Sequence, residues 1–383
     1  MLDFDFHLRT RIIYGPDKVS SLGALAGEMG ARRVLLVSDK GIVEAGHAQR
    51  GIDSLKAAGV EVTLWDGVAP NPTTECVEAG LKLAKRFEPQ LLVGLGGGSS
   101  LDAAKGVNFL YSNGGRMQDY WGTGKATREM LPMIAVPTTA GTGSEMQSYA
   151  LISDAQTHVK MACGDKKATC RVAILDPTLT ATQPPRVTAL TGIDAIAHAI
   201  ETYVTRKRNS VSLAFSREAW RLLEENFSIV LREPDNLEAR GAMQLGAAFA
   251  GLAIENSMLG AAHALANPLT SHFDIVHGEA VALMLPHVVR FNGASHNGWY
   301  GELLQSTSGL NGAPKASAGA AGLAEFLAEL AAGSGLATHL SQVGVKHDAL
   351  EQLAADAAQQ WTGTFNPRQV EQRDLLQLYE AAF

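Results

Sequence analysis

Apolar and polar positions divide this chain into two halves with different periods. In the first half, short apolar runs recur: Arg33-Val34-Leu35-Leu36-Val37-Ser38-Asp39, Val60 to Trp65, Gln90 to Leu95 and Met133 to Pro137. Each has the length of a strand and is rich in Val, Leu or Ile, so each reads as buried strand. Thr73 to Phe87 and Leu101 to Leu110 read as helices between them. Such alternation predicts a parallel sheet covered on both faces. Tyr149 to Ile152 and His158 to Ala162 flank a turn and predict a hairpin, and Ala173 to Asp176 is one more short strand.

From about Pro184 the period changes. Val187 to Thr205, Ser210 to Leu231, Leu237 to Ala266, Gly278 to Arg290, Ser317 to Ala332 and Asp348 to Gln360 read as helices, with no convincing strand among them. The boundary falls at Gln183-Pro184. It separates an α/β domain over residues 1–183 from an all-helical domain over 184–383. Gly241 to Ala262 is long enough for a membrane span, but Glu255 and Asn256 interrupt it. Its small residues suit a closely packed core helix. Asn311-Gly312-Ala313-Pro314 reads as a flexible connection.

At 383 residues, 46% hydrophobic and 19% charged, the chain can bury a large two-domain core. Its formal charge of -7 argues against a general nucleic-acid binder. The three cysteines, Cys76, Cys163 and Cys170, form no CxxC pair, and MLDFDFHLRT has no signal-peptide core. Both features point to the cytoplasm, without a disulfide framework or a membrane anchor.

The chemistry starts with Asp194 and His198, four residues apart in TGIDAIAHAIE and so on one helix face. Their neighbours are apolar nearly all round, so the helix is expected to be buried. A buried carboxylate needs a partner. Either an internal Asp–His hydrogen bond supplies it, or a divalent ion does. His263 and His277 in GAAHALANPLTSHFDIVHGEA would complete a ligand set of one carboxylate and three imidazoles, suited to Fe(II) or Zn(II).

Two loops follow strands upstream. Gly96-Gly97-Gly98-Ser99-Ser100 opens a helix, where glycine amides and the helix N-terminus can take a phosphate; a tight turn with a serine N-cap accounts for it equally well. Pro137 to Glu145 is a second small-polar turn, readable as part of a nucleotide crevice or as a capping box ending in Glu145. Asp39 ends the strand before both loops. It can receive the ribose hydroxyls of a dinucleotide or cap the next helix.

Taken in order, GGGSSLDAAK, VPTTAGTGSE, GIDAIAHAIE, HALANPL…HGEAVALMLPHVVRFN and the ending NPRQVEQRDLLQLYEAAF resemble the iron-containing (group III) alcohol dehydrogenases. The likeness runs almost end to end. It implies an α/β dinucleotide-binding domain followed by an all-α domain, in the dehydroquinate synthase-like architecture. It implies NAD and one divalent metal, Fe(II) by family and Zn(II) as the alternative, held by Asp194, His198, His263 and His277. The family's cofactor motifs fall on Asp39, Asn71, Gly97, Gly98, Ser99, Asp102, Thr138, Thr139, Thr142 and Lys160. The implied reaction is metal-assisted hydride transfer between NAD(H) and a small primary alcohol or its aldehyde, in a homodimer or larger homo-oligomer.

There are departures. Many relatives carry histidine where this chain has Asn267, and Glu255 stands where a small polar residue is usual. The alcohol proton is then expected to leave through water, a cofactor hydroxyl or another group such as His272, with Asn267 as an orienting amide; Asn267, just before Pro268, can equally be a helix C-cap. His272 and His287 each read first as structural or surface residues, His272 being the better relay candidate. Pocket walls are expected near Gln147, Tyr149, Ile254 and Trp361. Glycerol dehydrogenase-like and maleylacetate reductase-like enzymes share the fold and are the alternatives. A dehydroquinate synthase-like lyase needs a basic cluster, which this chain lacks near its ligand motifs. A non-catalytic metal- or nucleotide-binding scaffold is the remaining rival.

Overall fold

A computed structural model of the protein describes residues 3–307 and 316–383. The connection expected at 311–314 lies outside the described residues. Contacts separate two compact units at Gln183/Pro184, but not purely by sequence order. Residues 3–6 and Ala140–Thr142 group with the helical unit, Pro184–Phe383, while the α/β unit comprises His7–Thr139 and Gly143–Gln183.

In the α/β unit the strands and helices run in order as β1 (Arg11–Tyr14), α1 (Leu22–Glu28), β2 (Arg33–Val37), α2 (Lys40–Glu44), α3 (His47–Ala57) and β3 (Glu61–Trp65). They continue as α4 (Thr74–Phe87), β4 (Leu91–Gly96), α5 (Gly98–Asn113), β5 (Gly122–Thr123), β6 (Met133–Pro137), β7 (Tyr149–Ser153), β8 (Lys160–Gly164) and β9 (Val172–Leu175). The main sheet has six strands in the order β1-β9-β6-β4-β2-β3, every pairing parallel. A three-stranded sheet, β5-β8-β7, contains the expected hairpin as the antiparallel pair β7 and β8.

Strand alternation builds two cores from one sheet. Leu35, Val37, Leu92 and Ala135 face α4 and α5 through Val77, Leu101, Ala104 and Val107. Val34, Leu36, Leu91, Val93 and Ile134 face α1 and α3 through Leu22, Leu25, Ile52 and Leu55. From β2 the chain adds β3 on one side and then β4 on the other, so the order reverses between β2 and β4. Open α/β sheets bind ligands at the C-terminal strand ends beside such a reversal.

The helical unit comprises α6 (Pro185–Val204), α7 (Ser210–Arg232), α8 (Leu237–Glu255), α9 (Ala261–Phe273), α10 (His277–Leu304), α11 (Gly319–Gly333), α12 (Leu350–Ala358) and α13 (Gln372–Ala382). Its centre is α6, buried almost continuously from Thr188 to Val204 and packed against α7, α8 and α10. The single helix expected over Leu237 to Ala266 is two helices, broken at Asn256 to Gly260. The Asn256 carbonyl receives Asn209 Nδ2 at 2.7 Å there, a partner 47 residues away. Among the described residues no helix is long and apolar enough to cross a membrane.

Candidate metal centre and nucleotide loops

On α6, Asp194, His198 and Glu201 fall at i, i+4 and i+7 and share one face. α9 contributes His263, and His277 is the first residue of α10. That placement depends on Gly278, where a Cβ would sit 2.2 Å from the Leu190 carbonyl oxygen; only glycine lets α10 start this close to α6. Arg186 of α6 and Glu279 of α10 tie the same two helices at 2.8 Å.

The Asp194 Oδ1 atom is the focus. His198 Nε2 lies 3.5 Å from it, His263 Nε2 3.4 Å and His277 Nε2 3.8 Å. The tightest group is Asp194, His263 and His277, whose donor atoms lie within 4.8 Å of one another, and His198 joins through Asp194. Asp194 Oδ1 and His263 Nε2 are buried without a well-formed hydrogen bond. Ligands held about 2.1 Å from a shared tetrahedral ion are about 3.4 Å apart, so this spacing fits a metal better than direct bonding. Among the described residues the ion-pair partners of Asp194 and Glu201 are all histidines. Two buried carboxylates with no lysine or arginine beside them suit a dication.

Electrostatics agree. Burial pushes Asp194 up, but the surrounding His198, His263 and His277 hold it well below the usual carboxylate range. Burial lowers His198 against the pull of Asp194, which favours the neutral ring that a ligand needs. Burial also opposes a charge on His263, yet the adjacent Glu201 and Asp194 raise it to about 9, so an ion bound at Nε2 would take the place of a proton. Glu201 was not singled out from sequence, although its seven-residue spacing from Asp194 was a usable signal.

The structure does not bring His272 to this cluster. It lies nine residues beyond His263, about two and a half turns, and so on the opposite helix face. Its Nε2 pairs with Asp356 at 2.7 Å on the surface, with the imidazole 46% exposed. Asn267, four residues beyond His263, does share the His263 face. Both Asn267 and Pro268 lie inside α9, which corrects the C-cap reading. The Asn267 Nδ2 donates to Gln360 Oε1 at 3.0 Å. His287 lies on α10, pushed down to about 4 by burial and then by Arg290 and His339. Glu255 closes α8, next to the buried Ile254.

In the α/β unit, β6, β4 and β2 are neighbours, so the residues after them come together. Asp39 follows β2 and does cap α2, accepting from the Ile42 amide at 3.1 Å; its other oxygen accepts from Ser100 Oγ at 3.1 Å. After β4, the N-cap of α5 is Gly97 and not a serine. Ser99 Oγ accepts from the Asn71 amide at 3.3 Å, with Asn71 in the left-handed region. The helix start is therefore free of a side-chain cap, as an anion site requires. After β6, the Thr138 amide donates to the Gly96 carbonyl at 2.9 Å, and Thr139 lies against Gly97.

Asp102 turns inward and accepts from Ser144 Oγ at 2.6 Å. Burial raises its pKa against the pull of Lys105 and Lys160. The fully buried Lys105 Nζ has four acceptors within 3.0 Å: Ser144 O and Oγ, Gln147 O and Tyr149 O. This pair clamps the turn after β6. The capping box expected there is absent, because Gly143 takes the cap position, and burial pushes Glu145 up to about 7. Lys160 opens β8, opposite Ser153. Thr142 groups with the helical unit.

Residues 9–177 match the family model for iron-containing alcohol dehydrogenase, and residues 188–383 match the C-terminal model of the same family. The chain is 32% identical to the 1,3-propanediol dehydrogenase of Klebsiella pneumoniae over 99% of both chains. It is equally similar, at 32% over 99% of both, to the NAD-dependent methanol dehydrogenase of Bacillus methanolicus. A crystal structure of 1,3-propanediol oxidoreductase superposes with a TM-score of 0.95 at 31% identity, covering 100% of each chain.

Proposed function

Because the chain belongs to the iron-containing alcohol dehydrogenase family and is an NAD-dependent, metal-dependent alcohol oxidoreductase, we propose that Asp194, His198, His263 and His277 hold the metal. At it a small primary alcohol and its aldehyde interconvert. The convergence of three imidazole nitrogens on one buried carboxylate oxygen carries this reading. Fe(II) is the ion assigned by family. Zn(II) binds such a donor set more tightly, so occupancy depends on supply.

When bound, the ion supplies a Lewis acid for the alcohol oxygen, and the nicotinamide supplies the hydride acceptor. The chain's own residues position and exclude. His277 has the most exposed side chain of the four, at 24% against 7% or less, so substrate approaches from its side. Asn267 shares the His263 face and can orient a hydroxyl or a water, but an amide takes up no proton near neutral pH. The alcohol proton therefore leaves through water or a cofactor hydroxyl. His272, on the opposite face, has no part.

For the dinucleotide we assign the pyrophosphate to the start of α5, at Gly97, Gly98 and Ser99, with Asn71, Thr138 and Thr139 beside it. Asp39 takes the ribose hydroxyls. Asp102 braces the turn after β6 through Ser144, and Lys160 and Thr142 complete the set taken from the family motifs. We further assign a cytoplasmic homo-oligomer. The three cysteines are free thiols, and β1 leaves an open sheet edge with Tyr14 exposed.

An NADH absorbance assay against a panel of alcohols and aldehydes tests the substrate class. Turnover of short primary alcohols such as 1,3-propanediol supports the reading. Activity confined to carboxylated substrates would move the protein to the maleylacetate reductase-like alternative.

A further inference from the structure

We infer that Glu201 is a positioning residue that fixes His263 for metal binding, on a buried platform it shares with Asn366. This rests on the metal reading above. Glu201 is buried on α6, and its two carboxylate oxygens receive different donors. The Ala262 amide, in the first turn of α9, donates to Oε1 at 2.7 Å. The His263 Nδ1–H donates to Oε2 at 2.5 Å. A neutral imidazole carrying its proton on Nδ1 presents the Nε2 lone pair, and that atom lies 3.4 Å from Asp194 Oδ1. One carboxylate thus sets both the tautomer of the ring and the start of the helix that carries it. Its charge also suits the positive end of α9.

Asn366 completes the platform from the C-terminal segment. Its Oδ1 accepts the Ala261 amide at 3.3 Å, a partner 105 residues away, and Asn292 Nδ2 at 3.1 Å. Its Nδ2 donates to Asn292 Oδ1 at 2.7 Å and to the Arg368 carbonyl at 2.6 Å. A Cβ on Gly260 would sit 3.0 Å from Glu201 Oε1 and 3.1 Å from Asn366 Oδ1, so glycine leaves room for both oxygens. Through Asn366, the NPR motif near the chain end joins Glu201 in holding the N-terminus of α9. At α9, Asn366 bonds the helix start, whereas Glu201 bonds both the helix start and the His263 ring.

That difference makes the inference testable in the full-length protein. Glutamine at 201 has one acceptor oxygen where two donors need one each, so its NH2 group must face an N–H. Glu201→Gln should lower Zn(II) affinity, measured by competition with a chromophoric chelator, by about 10–100-fold. Asn366→Ala should lower it much less. In [15N]histidine-labelled, Zn-loaded protein, the His263 Nδ1–H resonance, assigned with His263→Asn, should be hydrogen-bonded in the wild type and displaced in Glu201→Gln. Equal losses in both variants, or no loss in Glu201→Gln, would overturn the positioning role and leave the metal reading standing. If Glu201→Gln does not fold, the wild-type spectrum decides: a ring with Nδ1 unprotonated overturns the inference. If the wild type binds no metal, the metal reading fails, and the His263 Nδ1–H of the metal-free protein still decides the role of Glu201: a hydrogen-bonded Nδ1–H supports it and a free one overturns it.

Discussion

Asn267 and Gln360 form an amide–amide hydrogen bond of 3.0 Å, on the same face of α9 as His263 and one turn beyond it. Neither side chain titrates near neutrality. The wild-type pH profile of kcat/KM should therefore carry no limb from this position. Asn267→His should add one, and Asn267→Asp should shift the optimum through its new charge. If both variants retain the wild-type profile, Asn267 does not face the reacting atoms. His272→Ala serves as the contrast. It removes an exposed pair with Asp356, worth at most about 1 kcal/mol, and should leave the profile unchanged.

Asp39 uses one oxygen on the α2 amide of Ile42 and one on Ser100, yet its side chain stays partly open at the strand end. Its charge disfavours a 2′-phosphate. The protein should use NADH in strong preference to NADPH, and Asp39→Gly should narrow that ratio by raising NADPH turnover. Equal kcat/KM for both cofactors in the wild type would contradict this assignment.

Glu224 offers a pH test within the helical unit. It is buried on α7, and neither carboxylate oxygen has a hydrogen-bond partner among the described residues. Burial, with repulsion from Glu225, raises it from 4.5 to about 7. Below about pH 4.5 both folded and unfolded states hold the proton, and there is no ionisation cost. Between there and about pH 7 the unfolded state ionises first, so stability falls with rising pH and stays reduced above it. Glu224→Gln should leave stability unchanged near pH 4 and gain on the order of 1–2 kcal/mol at pH 8, seen as a rise in Tm. A loss of stability at pH 8 would contradict it.

Much of this was legible from local pattern. The runs that became β2, β4 and β6 stand out because both faces of each strand are buried. β1 did not, because Arg11 and Tyr14 are exposed at the sheet edge and its middle is only partly covered. Asp194 and His198 could be paired by spacing alone. Glu201 lay on the same stripe and was missed, because a glutamate ending a helix motif looks like solvated surface. The break between α8 and α9, and the partners Gln360 and Asn366, depend on residues far away in sequence, which no periodicity reports. His272 misled through nearness in sequence, since helical geometry turns it away from His263.

The most direct test of the metal reading is turnover as a function of measured metal content. Full-length protein is stripped with a chelator, its residual metal is quantified by elemental analysis, and NADH formation is followed with 1,3-propanediol. The account predicts no turnover in the stripped protein. It predicts recovery with one divalent ion per chain, to different degrees for Fe(II), Zn(II) and Mn(II), and a His263→Ala variant that retains NAD binding but holds no ion. Full turnover in protein shown to contain no metal would contradict it.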